Sequence, residues 1–293
     1  MVEHDCASNG IYLIWSFKSS SNILKYKWEM ISAITVVVVI LAIFGSLTIY
    51  TQNWPPAVVV ESKSMQHGNN FVLGVINTGD IVGMKKVYSQ NNVITYVVAR
   101  ESGGPVYYGD FGDVVIYDNT YLGELVIHRA MFYVSGWNGD TPIIANDNNP
   151  SWLAINGYNV TILNVGYAHR NLLVDLGNFI GTTGYVTMGD YNLANSPFKE
   201  GSFYLGADVN VGIDNSLVNI TQVRGIAVGY LPILGTLKLW IDGKTQYIPE
   251  LSNIVMALVI VVIVAAAFFP TKKDDRKDQH IKKVRKMKRN DKY

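Results

Sequence analysis

Two stretches of this chain carry no charge at all, and they limit what it can fold into more than any other feature. Residues 31–50, ISAITVVVVILAIFGSLTIY, form a run of 20, and residues 251–269, LSNIVMALVIVVIVAAAFF, a run of 19. A helix rises about 1.5 Å per residue, so each run is about long enough to cross the ~30 Å hydrocarbon core of a bilayer. Buried helices of soluble proteins seldom lack every charge over such a length. A cleavable leader would rarely begin with thirty residues ahead of its apolar core. Both runs are therefore expected to be membrane anchors. Trp54 followed by Pro55 and Pro56 reads as an interfacial anchor and a helix stop.

The formal net charge of +1 hides an asymmetry that orients such a chain. Between Lys272 and Lys292 there are 11 Lys and Arg against 4 acids, and Lys18, Lys25 and Lys27 precede the first run. Cationic flanks stay in the cytoplasm, which puts both termini there and residues 51–250 outside. A basic tail can also be a nucleic-acid patch, but directly after a membrane span it reads as a lipid-facing segment, and no nucleic-acid partner is expected. The expected organisation is a cytoplasmic segment 1–30, a transmembrane helix 31–50, an extracytoplasmic domain 51–250, a second transmembrane helix 251–269 and a basic cytoplasmic tail 270–293. A single cysteine, Cys6, excludes an intramolecular disulfide framework, so the domain rests on its own core.

Between the runs lie short segments rich in Val, Ile, Tyr and Phe, punctuated by Gly, Asn and Asp: AVVVES, FVLGVI, DIVGMKKVY, VITYVVA, DVVIYD, ELVIHRAMFYV, TPIIAND, NVTILNVGY, GYVTMGD, VRGIAVGY and TLKLWIDG. A helical stripe is suggested only by NLLVDLGNFI. The fold class is mostly β, an antiparallel domain of barrel or sandwich kind flanked by the two apolar helices. Asn159 and Asn219 begin glycosylation-type tripeptides, in keeping with an external domain.

The order of short motifs adds a function. SKSMQHG (62–68) comes just after the first apolar run. TGDIVGMKKV (78–87), FGDVVIYD (111–118), ELVIHRAMFYV (124–134), YVTMGDYN (185–192) and VRGIAVGYLPILGTLKL (223–239) follow it. Alone, a Ser-Met or His-Arg pair means nothing. Six such elements in order beside a membrane anchor resemble the type I signal peptidases, in the archaeal and endoplasmic-reticulum branch. The likeness covers about residues 55–240, apart from residues 136–182, which read as an insertion.

The resemblance implies roles for particular residues. Ser64, before Met65, falls on the nucleophile, and His128 on the histidine that acts as general base. The chemistry needs such a pair: a serine hydroxyl is a poor nucleophile until a base takes its proton, and imidazole titrates near neutral pH. A carboxylate normally orients the base. Asp190, in MGDYN, matches the aspartate of the family's Gly-Asp element, although Tyr191 stands where the family has asparagine. A second family aspartate normally follows within a few residues. Here LANSP offers Asn195 and Ser196, and Asp214 in GIDNS is a later candidate. ANDNNP (145–150) imitates the same element within the insertion. Ser62 and Met65 are expected at the substrate and oxyanion side, together with backbone N–H groups near Ser64.

Other residues compete for these roles. His67 is nearer to Ser64 in sequence but stands where the family usually has proline, and reads as a local, solvated side chain. His169-Arg170 is a second His-Arg pair, but His128 follows GDVVIYD at the family's distance. Lys85 and Lys86 come too early for a Ser-Lys dyad and read as surface charges.

The implied reaction is acyl transfer: Ser64 attacks the scissile carbonyl, His128 takes and returns the proton, and water releases the acyl group. The implied substrates are secretory precursors with signal peptides, bound extended, with small residues at the first and third positions before the cut. The lipid bilayer is the second partner, and the protein-export channel is a further candidate. No cofactor or metal is implied. The rival reading is a membrane-anchored β-domain without catalysis, an inactive homologue or a surface binding protein.

Overall fold

The computed structural model describes residues 8–145 and 150–268. The basic tail, and most of the ANDNNP segment, lie outside the described residues. Helix α1 runs Ser8–Thr51, so the segment expected to precede the first apolar run is continuous with it from Ser8 onward. It ends ahead of Pro55 and Pro56, neither of which could extend it. Among the described residues one helical stretch, Met30–Thr51, is long and apolar enough to cross a membrane, and only its last residue, Thr51, is buried against the rest of the protein. The second apolar run forms a shorter helix at the end of the described chain.

In chain order after α1 come β1 (Ala57–Val59), β2 (Ile81–Lys85), α2 (Tyr96–Ser102), β3 (Val106–Tyr107), β4 (Asp110–Phe111), β5 (Val114–Asn119) and β6 (Glu124–Asn138). Then follow β7 (Thr141–Ile144), β8 (Leu153–Asn156), β9 (Asn159–Val165), β10 (Arg170–Asp175), β11 (Gly184–Met188) and α3 (Asp190–Ala194). The described chain closes with β12 (Lys199–Glu200), β13 (Phe203–Leu205), β14 (Val223–Leu231), α4 (Thr236–Ile241) and α5 (Glu250–Phe268). The domain is mostly β and largely antiparallel, with one parallel pair between β10 and β13.

Four segments expected as strands or helix take other forms. VITYVVA becomes α2, whose buried Tyr96, Val97 and Ala99 face the core while Gly103 closes the helix in the left-handed region at φ 62°. TLKLWIDG becomes α4, and FVLGVI is irregular. NLLVDLGNFI starts as strand β10 and not as a helix, because its Leu172, Leu173 and Val174 are buried between neighbouring strands.

A seven-stranded sheet of order β1-β2-β14-β5-β6-β11, with β7 also on β6, forms the frame. The segments that follow its two edge strands meet: the Tyr191 N–H, beyond β11, donates to the Ser64 carbonyl, beyond β1, at 2.9 Å. The residues expected as an insertion build most of a second sheet, β12-β13-β10-β9-β8. This sheet shares a core with the first, since Met131, Phe132 and Val134 of β6 and Val186 of β11 pack with Val160, Ile162, Leu172 and Val174. The residues expected as an insertion thus supply most of one layer of a two-layer domain, which the β12–β13 hairpin completes.

Candidate active site

The Ser64 turn is held from beneath. The Met65 side chain is buried among Val60, Val82, Met84, Val114 and Ile116. The neighbouring Gln66, also buried, accepts the Thr78 backbone N–H at 3.0 Å, and Thr78 Oγ1 lies 2.8 Å from the Ser62 carbonyl. Met65 therefore anchors the turn; its side chain is buried in the core, whereas the sequence reading expects it at the substrate and oxyanion side. Ser62 is exposed, and its hydroxyl lies 3.1 Å from that of Ser64. Behind the turn, a Cβ on Gly189 would come within 2.6 Å of the Ser64 carbonyl oxygen. Only glycine permits the backbone to approach so closely.

His128 lies on β6. Its neighbours follow from strand alternation, which sends consecutive side chains to opposite faces. Ala130 pairs with Thr187 and Arg129 with Met188, so His128 and Ala130 share the face of Thr187, while Arg129 projects to the other. On the first face His128 Nδ1 is 2.6 Å from Asp208 Oδ2, and both side chains are almost wholly buried. The Thr187 hydroxyl donates to the same oxygen at 2.6 Å. A carboxylate oxygen accepts, so Nδ1 carries a proton, and in the neutral ring Nε2 keeps its lone pair. Burial disfavours the imidazolium, but the charge and hydrogen bond of Asp208, together with the charges of Asp214 and Asp190, outweigh it and raise the His128 pKa above its ordinary value.

On the second face Arg129, wholly buried, forks onto Asp190: Nε to Oδ1 at 2.9 Å and Nη2 to Oδ2 at 2.6 Å. Its Nη1 points at the carbonyls of Tyr107, Asp110, Phe111 and Gly112, 3.0–3.2 Å away. Burial would raise the Asp190 carboxyl, but Arg129, with help from His67, holds it below the usual carboxylate range. Asp190 is thus the counter-ion of Arg129 and does not contact the imidazole of His128, which corrects its expected role. His67 is not solvated either. Its Nε2 lies 3.1 Å from Asp190 Oδ2, and its ring stacks on Tyr167, in the turn between β9 and β10, at 4.4 Å.

The ladder also relates the serine to the histidine. Met188 pairs with Arg129, so the next position along would set Gly189, against which the Ser64 carbonyl rests, level with His128. Among the described residues no hydrogen bond joins the Ser64 hydroxyl to His128. His169 sits in an exposed turn between β9 and β10, and Arg170 beside it covers the Tyr204 ring at 4.0 Å. Lys85 and Lys86 are exposed, as expected. Asp214 does not touch His128; it belongs to the hydrogen-bond network around Asp208. Beside the turn a cleft of about 300 Å³ opens between α3 and the loop after β13, lined by Tyr191, Asn195, Phe198, Val211 and Ile213.

Asp208 is the residue missed from sequence. It lies beyond Asp190 because the β12–β13 hairpin intervenes, and only it and Glu200 are acidic between Asp190 and Asp214. No protein-family model matches this chain, and no curated protein matches it.

Proposed function

We propose that the protein is a membrane-tethered serine endopeptidase of the signal peptidase kind, with Ser64 as nucleophile, His128 as general base and Asp208 as the carboxylate that orients it. The observation that carries this reading is the buried His128–Asp208 pair at 2.6 Å, on the sheet whose strand β11 leads into the Gly189–Tyr191 backbone that holds Ser64. An oriented imidazole with its Nε2 lone pair free is what a serine hydroxyl needs to lose its proton. In free enzymes that last hydrogen bond is often long and tightens when substrate is bound.

In this mechanism a precursor lies extended past Ser64, and the Ser64 oxygen attacks the carbonyl before the cut while His128 takes the proton. Backbone N–H groups at the turn, with the Ser62 hydroxyl, receive the developing oxyanion. His128 returns the proton to the leaving amine, and a water repeats the sequence to free the acyl-enzyme. The cleft beside Tyr191 offers a recess for a side chain near the cut. The apolar face of Met30–Thr51 has no protein cover, which favours a lipid partner, and α5 would be the second span, with the basic tail returning to the cytoplasm.

The test is processing of a secretory precursor in membranes. Ser64→Ala, His128→Ala and Asp208→Ala should each abolish cleavage, while His169→Ala should cleave normally. Cleavage surviving Ser64→Ala would overturn the assignment. A wild type inert towards every precursor would leave the non-catalytic, membrane-anchored β-domain instead. Protease accessibility of the tail in sealed vesicles tests the topology: a tail cut from outside would refute it.

A further inference from the structure

The side of Asp208 away from His128 holds a second buried carboxylate, Asp214. The loop that joins them is closed on itself: the backbone N–H groups of Ile213 and Asp214 both donate to the Asp208 carbonyl at 3.1 Å. Two hydroxyls stand between the carboxyl groups. Tyr117 Oη lies 2.8 Å from Asp214 Oδ2 and 3.3 Å from Asp208 Oδ2, and Thr187 Oγ1 lies 2.6 Å from Asp208 Oδ2 and 3.3 Å from Asp214 Oδ2. Each hydroxyl has one proton to give. The short distances divide them: Thr187 donates to Asp208, and Tyr117 to Asp214. Asn119 completes the arrangement. Its Oδ1 accepts the N–H groups of Tyr121 and Leu122 at 2.9 and 2.8 Å, which turns its amide nitrogen to Asp214 Oδ1 at 2.6 Å.

We infer that Asp214 is a positioning residue for the base: by taking the Tyr117 hydroxyl it leaves Asp208 to Thr187 and His128, and its charge adds to that of Asp208 in stabilising the imidazolium. This rests on the reading of His128 as general base. The groups that face the pair are known from every side. Tyr117 and Asn119 come from β5, His128 from β6, Thr187 from β11 and Asp208 from its own loop; Asp190, itself neutralised by Arg129, acts on His128 from the other face. Among the described residues nothing cationic other than His128 touches the two carboxylates. Burial, and then the neighbouring charge of Asp208, push the Asp214 carboxyl up to about 6. Asp214 therefore takes a proton as the pH falls through this region, and the support it lends His128 is withdrawn there.

The experiment reads the imidazole directly, in the full chain in detergent micelles labelled with ¹³C-histidine. The chain has 5 histidines, and the resonance lost in His128→Gln identifies the one that matters. Asp214→Asn should move the His128 titration midpoint to lower pH and leave the other histidines unmoved; a purely structural role would not move it while the fold is kept. Tyr117→Phe removes the donor that satisfies the Asp214 charge and should move the midpoint the same way, which keeps the test available should Asp214→Asn not fold. In cleavage assays the acid limb should move with the midpoint in Asp214→Asn while KM stays constant. A midpoint unchanged in both variants overturns the inference. A shifted midpoint in a protein that cleaves no precursor would sink the peptidase reading and leave the charge coupling standing.

Discussion

Asp190→Asn separates the two aspartates sharply. The substitution keeps shape and removes one charge from a pair in which Arg129 is 0% and Asp190 1% exposed. Removing one partner of a buried pair costs about 3–5 kcal/mol, since the other charge stays behind without compensation. Here the lower part of that range applies, because four carbonyl oxygens still face Nη1 and the Asp110 carboxyl acts on Arg129 as well. About 3 kcal/mol is a large share of the 5–15 kcal/mol that holds a domain folded. The assay is denaturant unfolding of the full chain in micelles at pH 7, followed by tryptophan fluorescence. The pH dependence supplies an internal control. A carboxyl held below its ordinary value near 3.9 contributes stability above that value and loses it as pH falls through its folded pKa. The gap between wild type and variant should therefore close in strong acid. Replacing both partners by apolar residues, Arg129→Met with Asp190→Leu, should recover most of the loss. A loss below about 1 kcal/mol at pH 7, outside the range for a buried pair, with cleavage abolished, would refute the reasoning. It would return Asp190 to the role of orienting the base.

Other perturbations probe the same frame. Gly189→Ala puts a Cβ 2.6 Å from the Ser64 carbonyl, a backbone atom that cannot yield cheaply. It should cost about 1–3 kcal/mol and lower kcat in single-turnover cleavage; a wild-type rate would mean that the turn is looser than its contacts imply. His67→Ala and Tyr167→Ala each open the clamp between the Ser64 turn and the second sheet. A double-mutant cycle on thermal unfolding should give a coupling of about 0.5–1.5 kcal/mol, and strict additivity would deny that the stack matters. Phe132→Ala empties a site between the two sheets and should cost about 3–5 kcal/mol in one cooperative transition; two separate transitions would make the second sheet an independent unit. The acid limb of kcat/KM should lie above pH 6.5, the ordinary imidazole value, because the carboxylates near His128 favour its protonated, inactive form. A limb at or below that value would contradict the electrostatics described.

Much of this fold was legible because its strands are written in β-branched and aromatic residues bounded by Gly and Asn. The Ser-Met pair was singled out only by its place in an ordered series of motifs, and the burial of Met65 beneath the half-buried Ser64 was not read from it. The helix α2 was not read as one, since its Tyr-Val-Val core has the composition of a strand. What decides it is Gly103, which stops the run in the left-handed region, and the burial of one side against β6. Asp208 was hidden by its distance in sequence: the β12–β13 hairpin lies between it and Asp190, although the fold returns it to Thr187 and His128.

One part of the missed assignment could have been argued from sequence. ELVIHRAMFYV reads as a strand, and in a strand adjacent residues point to opposite faces. His128 and Arg129 therefore cannot share a carboxylate across the sheet. A buried arginine needs an anion of its own, and an orienting carboxylate for the histidine must come from a second residue on the other side. Once Asp190, two positions beyond the strand residue that pairs with Arg129, is assigned to the arginine, the histidine's partner has to lie further along the chain. Of Glu200, Asp208 and Asp214, the next acids in sequence, the two aspartates lie on the histidine's side, one in contact with it and one behind. In this chain the His-Arg pair is thus served by two acidic centres, one on each face of β6. The distance between those centres in sequence is free to vary with whatever hairpin is inserted.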